Sequence, residues 1–274
     1  MNARVTLVTG ILTLALFVPQ AVAIPGGQVD EDNTYSNVGA VVGMPPDGSG
    51  PFVGGSGILV HPRVLLTAGH VTFFMEQNPW TIPLTSISFG TDAFDPATWH
   101  EVEAVITHPN YNPNSLANDV GVIILKKPVN IREVPLANLP YEGFLDDLEA
   151  AGLLRQPSQG VAFFRVVGYG STLDWPPRVI VPGDGWRRFA DSEYLNLLPG
   201  WLHLLQNLAT ADGGTAVGDS GGPAFWIEPD GTRVLVALAS WGEPVAMGFY
   251  WRVDIPETLA FIYWVIEEVN NGRL

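Results

Sequence analysis

From Ile24 to about Asp254 the apolar residues come in short runs separated by Gly, Pro, Asn and Asp. Runs of this length bounded by turn residues predict strands, and a long succession of them predicts a barrel or sandwich. The pattern predicts strands at Gly39 to Met44, Phe52 to Val60, Arg63 to Thr67, Ser86 to Phe89, Glu101 to Thr107 and Val120 to Leu125. A second set is predicted at Phe163 to Gly168, Trp186 to Leu197, Trp201 to Gln206, Pro223 to Ile227, Arg233 to Ser240 and Phe249 to Val253. Helical periodicity is confined to two places. Between Tyr141 and Leu154, Phe144, Leu145, Leu148, Ala151 and Leu154 share one face and acids take the other. Residues 141–160 therefore read as the link between two halves, 24–140 and 161–274. From Pro256 to Val269 a second helix is predicted, with Asp254 and Glu257 spaced as a capping box and Pro256 in the first turn. Its apolar stripe is expected to pack on the second half.

The first residues have a different pattern. Arg4 precedes an apolar run from Val5 to Val18, and Pro19 leads into Ala21-Val22-Ala23. That is the layout of a signal peptide, residues 1–23, cleaved after Ala23. A run of 14 residues falls short of the roughly 20 needed to span a bilayer, so the mature form is expected to hold no membrane segment.

Composition narrows the function classes. The 274 residues carry a formal net charge of −15, which repels a phosphate backbone and argues against nucleic-acid binding. Loss of the leader removes Arg4 and no acid. There is no cysteine, which excludes disulfides, a thiolate nucleophile and a zinc-thiolate site. An exported chain without cysteine suits an extracellular medium or a bacterial periplasm. Nothing in the sequence bears on oligomeric state.

Candidate chemistry begins at Ser220, inside Gly218-Asp219-Ser220-Gly221-Gly222-Pro223. Glycines on both sides permit sharp backbone conformations that expose one hydroxyl and turn amide N–H groups toward the same point. A serine hydroxyl needs a general base, and the base needs a partner that fixes its tautomer. Of His61, His70, His100, His108 and His203, only His70 closes a strand-like run ending in small residues, Val64-Leu65-Leu66-Thr67-Ala68-Gly69. Asp119 opens the apolar run Val120 to Leu125. A buried unpaired charge is costly there, and an imidazolium would offset it. Ser220 also satisfies G-x-S-x-G, the nucleophile elbow of α/β-hydrolases, but that fold places its histidine after the serine, and no histidine follows Ser220.

Three segments, TAGH at Thr67 to His70, NDVGVIIL at Asn118 to Leu125 and GDSGGP at Gly218 to Pro223, resemble the signatures of the trypsin-like (chymotrypsin-fold) serine proteases. Thr107 to Asn112, Ser240-Trp241-Gly242 and Val53-Gly54-Gly55-Ser56-Gly57 also resemble that family, and the order His, Asp, Ser matches. The resemblance implies an all-β fold of two six-stranded antiparallel β-barrels with a C-terminal α-helix, and a secreted serine endopeptidase acting on peptides without a cofactor. It further implies His70, Asp119 and Ser220 as the catalytic triad, and the N–H groups of Gly218 and Ser220 as the oxyanion hole. Gly214, Thr215, Ser240, Trp241, Gly242 and Gly248 would bind substrate, with an uncharged, small-walled pocket suited to an apolar side chain. Ile24, freed by leader cleavage, would pair its amine with Asp219. The rival expectation is an inactive relative that only binds peptides. Val53 and Val71 stand where relatives carry a disulfide, and Ala216 where a cysteine is usual. Asp92 and Asp95 lie in a loop that binds calcium in some relatives, but two acids fall short of the six or more oxygens calcium takes, and no metal is expected.

Overall fold

The computed structural model describes residues 22–24, 27–156, 162–174, 179–181, 183–206, 213–243 and 246–274. The predicted leader lies outside these up to residue 21, as do Pro25, Gly26 and the end of the predicted link. Six strands, β1 (Val38–Gly43), β2 (Phe52–His61), β3 (Val64–Thr67), β4 (Thr85–Ser88), β5 (Trp99–Thr107) and β6 (Gly121–Leu125), close an antiparallel barrel in the order β1-β2-β3-β6-β5-β4. Six more, β7 (Phe163–Gly168), β8 (Arg188–Leu197), β9 (Trp201–Leu205), β10 (Pro223–Ile227), β11 (Arg233–Glu243) and β12 (Met247–Arg252), run β9-β12-β11-β10-β7-β8 and close through a β8–β9 pairing. Gln28–Val29 adds to β8 as an outer strand. Both barrels and the C-terminal helix predicted from the sequence are present. A small sheet of Val22–Ala23, Thr172–Asp174 and Val179–Val181 was not foreseen.

The strands read as nearly unbroken apolar runs because both of their faces are covered. Val41, Leu59, Leu65, Ile87 and Ile123 fill the first barrel. Their neighbours Ala40, Val42, Ile58, Leu66, Val122 and Ile124 point the other way, into a cluster shared with Phe225, Leu235, Leu238 and Val253 of the second half. Period-two alternation thus builds an interior and an inter-barrel core from the same strands.

Three helices join this frame: α1 (Gly69–Gln77), α2 (Phe144–Ala150) and α3 (Pro256–Asn270). The link helix is shorter than its apolar periodicity suggested, and α1 was not foreseen. The capping box of α3 does not form. Its N-cap is Ile255, with no side-chain cap, because the Asp254 carboxylate is drawn inward. It accepts from the Arg252 guanidinium at 2.8 and 2.9 Å and from the Leu145 N–H at 2.8 Å. Nor does α3 rest on the second half alone. Phe261 meets His108 edge-on, Asn270 hydrogen-bonds His61, and Thr258 accepts from the Trp251 indole, so the helix spans both halves.

Two polar pins fix the barrels to each other. Fully buried Ser56 donates its N–H to the Ser220 carbonyl (2.8 Å) and its hydroxyl to the Gly218 carbonyl (3.0 Å). The same hydroxyl accepts from the Tyr169 N–H (3.2 Å), and the Ser56 carbonyl accepts from the Thr67 hydroxyl (2.7 Å). The second pin is the Asp30–Arg187 pair, 2.8 Å apart and buried. Arg187 also donates to the Val38 and Phe89 carbonyls and to the Tyr169 hydroxyl. Ser56→Ala leaves the Tyr169 N–H and Gly218 carbonyl buried without their partner, so it should cost about 1 to 3 kcal/mol. Urea unfolding of the two proteins checks this; an unchanged midpoint would mean that water or a shift of chain replaces the hydroxyl.

Candidate active site

The site forms where α1, the turn before β6, the start of β11's exposed end and the Gly218–Gly222 loop converge. Asp119 is fully buried. It follows Asn118, held at φ +56°, a left-handed conformation that Asn tolerates better than most residues. One carboxylate oxygen accepts the His70 backbone N–H at 2.7 Å and the other accepts His70 Nδ1 at 2.9 Å. The second oxygen also accepts the Ser240 hydroxyl. His70 lies in the first turn of α1, where backbone N–H groups lack helical acceptors, and the N-cap Ala68 offers no side chain to satisfy them. Asp119 therefore satisfies an orphan helix donor and orients the imidazole of the same residue. With Nδ1–H given to Asp119, Nε2 is left as the acceptor.

Ser220 sits between Gly218 at φ +97° and Gly221 at φ +81°. A methyl group on Gly221 would come within 2.4 Å of the Ala68 nitrogen and 2.1 Å of the Thr67 hydroxyl, so only glycine lets this loop close on the segment that carries His70. Within the loop, Asp219 N–H donates to the Ala216 carbonyl and Gly221 N–H to the Ala239 carbonyl. The Gly218 and Ser220 N–H groups have no acceptor among the described residues, which leaves a pair of donors free for a ligand oxygen. No hydrogen bond joins Ser220 Oγ to His70 among the described residues; the Asp119–His70 link is formed and the His70–Ser220 link is not. The other histidines are occupied elsewhere. Burial holds the imidazoles of His61, His100, His108 and His203 below their ordinary value.

Of the predicted substrate-binding residues, Gly214, Thr215 and Gly248 gather around the side chain of Gln206. Gly242 and Gly248 face each other across β11 and β12. A methyl on Gly214 or on Gly248 would strike the side chain of Gln206, at 2.2 and 2.3 Å. Gln206 is fully buried. With its amide placed to satisfy every polar atom, the oxygen accepts from the Thr215 N–H (2.9 Å) and hydroxyl (3.2 Å), and the nitrogen donates to the Glu243 carbonyl at 3.1 Å. Thr215 and Tyr250 hydroxyls lie 3.3 Å apart, and burial pushes the Tyr250 phenol well above its ordinary value. Gln206 was missed from sequence because it belongs to no motif; the one signal was a polar residue closing an otherwise apolar strand. Trp241 is half exposed and stacks on Phe249 with ring centres 3.8 Å apart.

The structure does not join Ile24 to Asp219. Ile24 is an internal peptide buried in the second barrel's apolar cluster, and its carbonyl accepts the Gly27 N–H. The Asp219 carboxylate accepts the Gly170 N–H (2.7 Å) and the Ala216 N–H (2.9 Å). Burial raises its pKa to about 7, against smaller lowering by those two N–H groups and by Arg188. Asp92 and Asp95 each accept a backbone N–H, from Phe94 and Ala97. Among the described residues no group of three His, Asp or Glu side chains could hold a metal. No described helix is long and apolar enough to cross a membrane.

Two β-barrels with a buried Asp–His pair beside a glycine-flanked serine define a serine-type hydrolase, and comparison with known proteins agrees. The Trypsin family model matches residues 42–143. A trypsin of Saccharopolyspora erythraea is 27% identical over 265 residues, covering 92% of this chain and all of that one. A lectizyme of Glossina austeni is 25% identical over 243 residues, 82% of this chain and 80% of its own. An inactive CLIP domain-containing serine protease of Anopheles gambiae is 28% identical over 71% of this chain and 50% of its own. Over most of its length the chain is similar to trypsin-like serine proteases, and these matches support a serine-type endopeptidase acting on peptides or proteins.

Asp219 gives a pH signature for the chain in which Ile24 is internal. The folded carboxyl keeps its proton to about pH 7, whereas the unfolded one loses it near 3.8. The folded state therefore binds more protons between those values, and this group's contribution to stability falls as pH rises from about 4 to 7. Urea titrations should show the stability of wild type relative to Asp219→Asn declining across that window; a constant difference would refute the assignment.

Proposed function

We propose that this chain is a secreted endopeptidase that cleaves peptide bonds through His70, Asp119 and Ser220, with apolar primary specificity. Its parts would be a leader at 1–23, an N-terminal barrel at 24–140, a link at 141–160 and a C-terminal barrel with helix at 161–274. Ser220 Oγ attacks the scissile carbonyl while His70 Nε2 takes its proton. The tetrahedral oxyanion is met by the Gly218 and Ser220 N–H groups. His70 returns the proton to the leaving amine, and water then hydrolyses the acyl-enzyme by the same route in reverse roles. Asp119 holds the tautomer and stabilises the imidazolium. The observation that carries this reading is the double grip of Asp119 on His70, which fixes the imidazole beside a loop with two unpaired N–H groups. Catalytic hydrogen bonds are often long without substrate, which accommodates the absent His70–Ser220 bond. The inactive-relative reading has no residue in its favour, since His70, Asp119, Ser220 and Gly218 are all present.

Cleavage after Ala23 would free the Ile24 amine to pair with Asp219, replacing a carboxyl that burial drives toward neutrality with an ion pair. N-terminal sequencing of the secreted protein should begin at Ile24; a start beyond Gly27 rules this out. At the primary pocket, the absence of charge and the two facing glycines support an apolar side chain, and Gln206 limits its size.

Two sets of variants test the reading. Ser220→Ala should lower kcat about a million-fold and Asp119→Asn about ten-thousand-fold, as in other Ser-His-Asp hydrolases. Native protein should label at Ser220 with an organophosphonate; retained activity in Ser220→Ala ends the proposal. Gln206→Ala should shift kcat/KM toward larger apolar residues before the scissile bond by about tenfold. An unaltered preference in a peptide library would remove Gln206 from the pocket.

A further inference from the structure

A cavity of about 550 Å3 opens directly beside His70 on the side of the first barrel. Buried Val41, Val71 and Met75 form its floor. Its rim is Met44, Phe52, Phe74 and Trp80, with 37, 51, 58 and 58% of their surface exposed. Large apolar side chains gathered around one concavity mark a binding surface, whereas single ones scattered over a surface need no explanation. The volume is in the range of ligand sites. Among the described residues His70 is the one titratable side chain that lines it, so a charged group entering would lose water without gaining a partner.

The position of this cavity follows from α1. Residues four apart lie on one helix face, so Phe74 stands one turn beyond His70, and Met75 one turn beyond Val71. The helix that presents the imidazole therefore presents the pocket's wall at a fixed distance from it. Every lining residue comes from 41–85. The Ser240–Gly242 edge, which suits the acyl part of a substrate, belongs to the other barrel. The cavity is thus left to the chain that departs as the amine, to which His70 hands its proton.

We infer that this cavity selects substrates with a large apolar side chain, aromatic or leucine-like, within two residues after the scissile bond, and that Phe74 and Trp80 set that preference. The inference rests on the endopeptidase reading above. It makes this enzyme selective on both sides of the bond.

The test uses the processed enzyme and two kinds of substrate. One is a set of internally quenched peptides identical up to the scissile bond, with Phe, Leu, Gly, Glu or Lys placed in turn at the first and at the second position after it. The other is a coumarylamide with the same acyl part and no residue after the bond. Wild type should cleave the Phe and Leu peptides with kcat/KM about tenfold or more above the Gly, Glu and Lys peptides. Phe74→Ala and Trp80→Ala should each erase most of that preference and leave coumarylamide hydrolysis within about twofold, which also reports that the variants fold. A wild type that hydrolyses the coumarylamide but is indifferent at both positions after the bond overturns the inference and leaves the enzyme reading standing. Persistence of the preference in both variants also overturns it. A wild type inert toward coumarylamide, peptides and organophosphonate alike overturns the enzyme reading and the inference together. A dimer in sedimentation that Trp80→Ala dissociates would mean that a second copy covers the cavity, and the inference would fail.

Discussion

Ser56 is the residue through which the two barrels agree on where the nucleophile stands. Its N–H, hydroxyl and carbonyl are all spent between Ser220, Gly218, Tyr169 and Thr67. Thr67 is three residues from His70, so one buried residue, through its backbone and its hydroxyl together, sets the distance between the strand that leads to the base and the loop that holds the nucleophile. Burial makes the arrangement strict, because an unmet hydrogen bond there has no water to fall back on. Asp119 closes the same circuit from the other direction, taking donors from α1 and from Ser240 of the second barrel.

The chain achieves this without cysteine. Where a disulfide would constrain loops, buried ion pairs with many acceptors constrain them here. Arg187 ties Asp30 to carbonyls of the first barrel, and Arg252, at the end of the second barrel's last strand, ties Asp254 to Asp146 of the link helix. Such pairs add little net stability over apolar packing, but removing one partner strands a buried charge. They act as fixed hinge pins, while apolar burial in the three core clusters supplies the main driving force for folding.

Much of the architecture was legible because short apolar runs separated by turn residues can hardly form anything but strands, and the three chemical segments announce themselves by glycine and small residues at fixed places. Elements decided by tertiary contact were not. Helix α1 has only nine residues, no capping side chain and a β-branched, aromatic sequence; it exists because Asp119 satisfies its first turn. The Asp254–Glu257 box had the right spacing, but Arg252, two residues earlier and buried, won the carboxylate. Gln206 is invisible to any local rule, since what makes it matter is the pair of glycines that approach it from two other segments. The cavity beside His70 likewise assembles residues from four separate stretches.

The anchorage of Gln28–Val29 on β8 and of Asp30 on Arg187 has a kinetic consequence. These contacts moor the polypeptide four residues after Ile24, so a terminus created there could wander no farther than about 14 Å from its mooring. Within a sphere of that radius one chain end has an effective concentration on the order of 0.1 M. Docking of such an end would be a first-order event, equally fast in dilute medium and in a crowded one, and indifferent to how many other molecules had been cut.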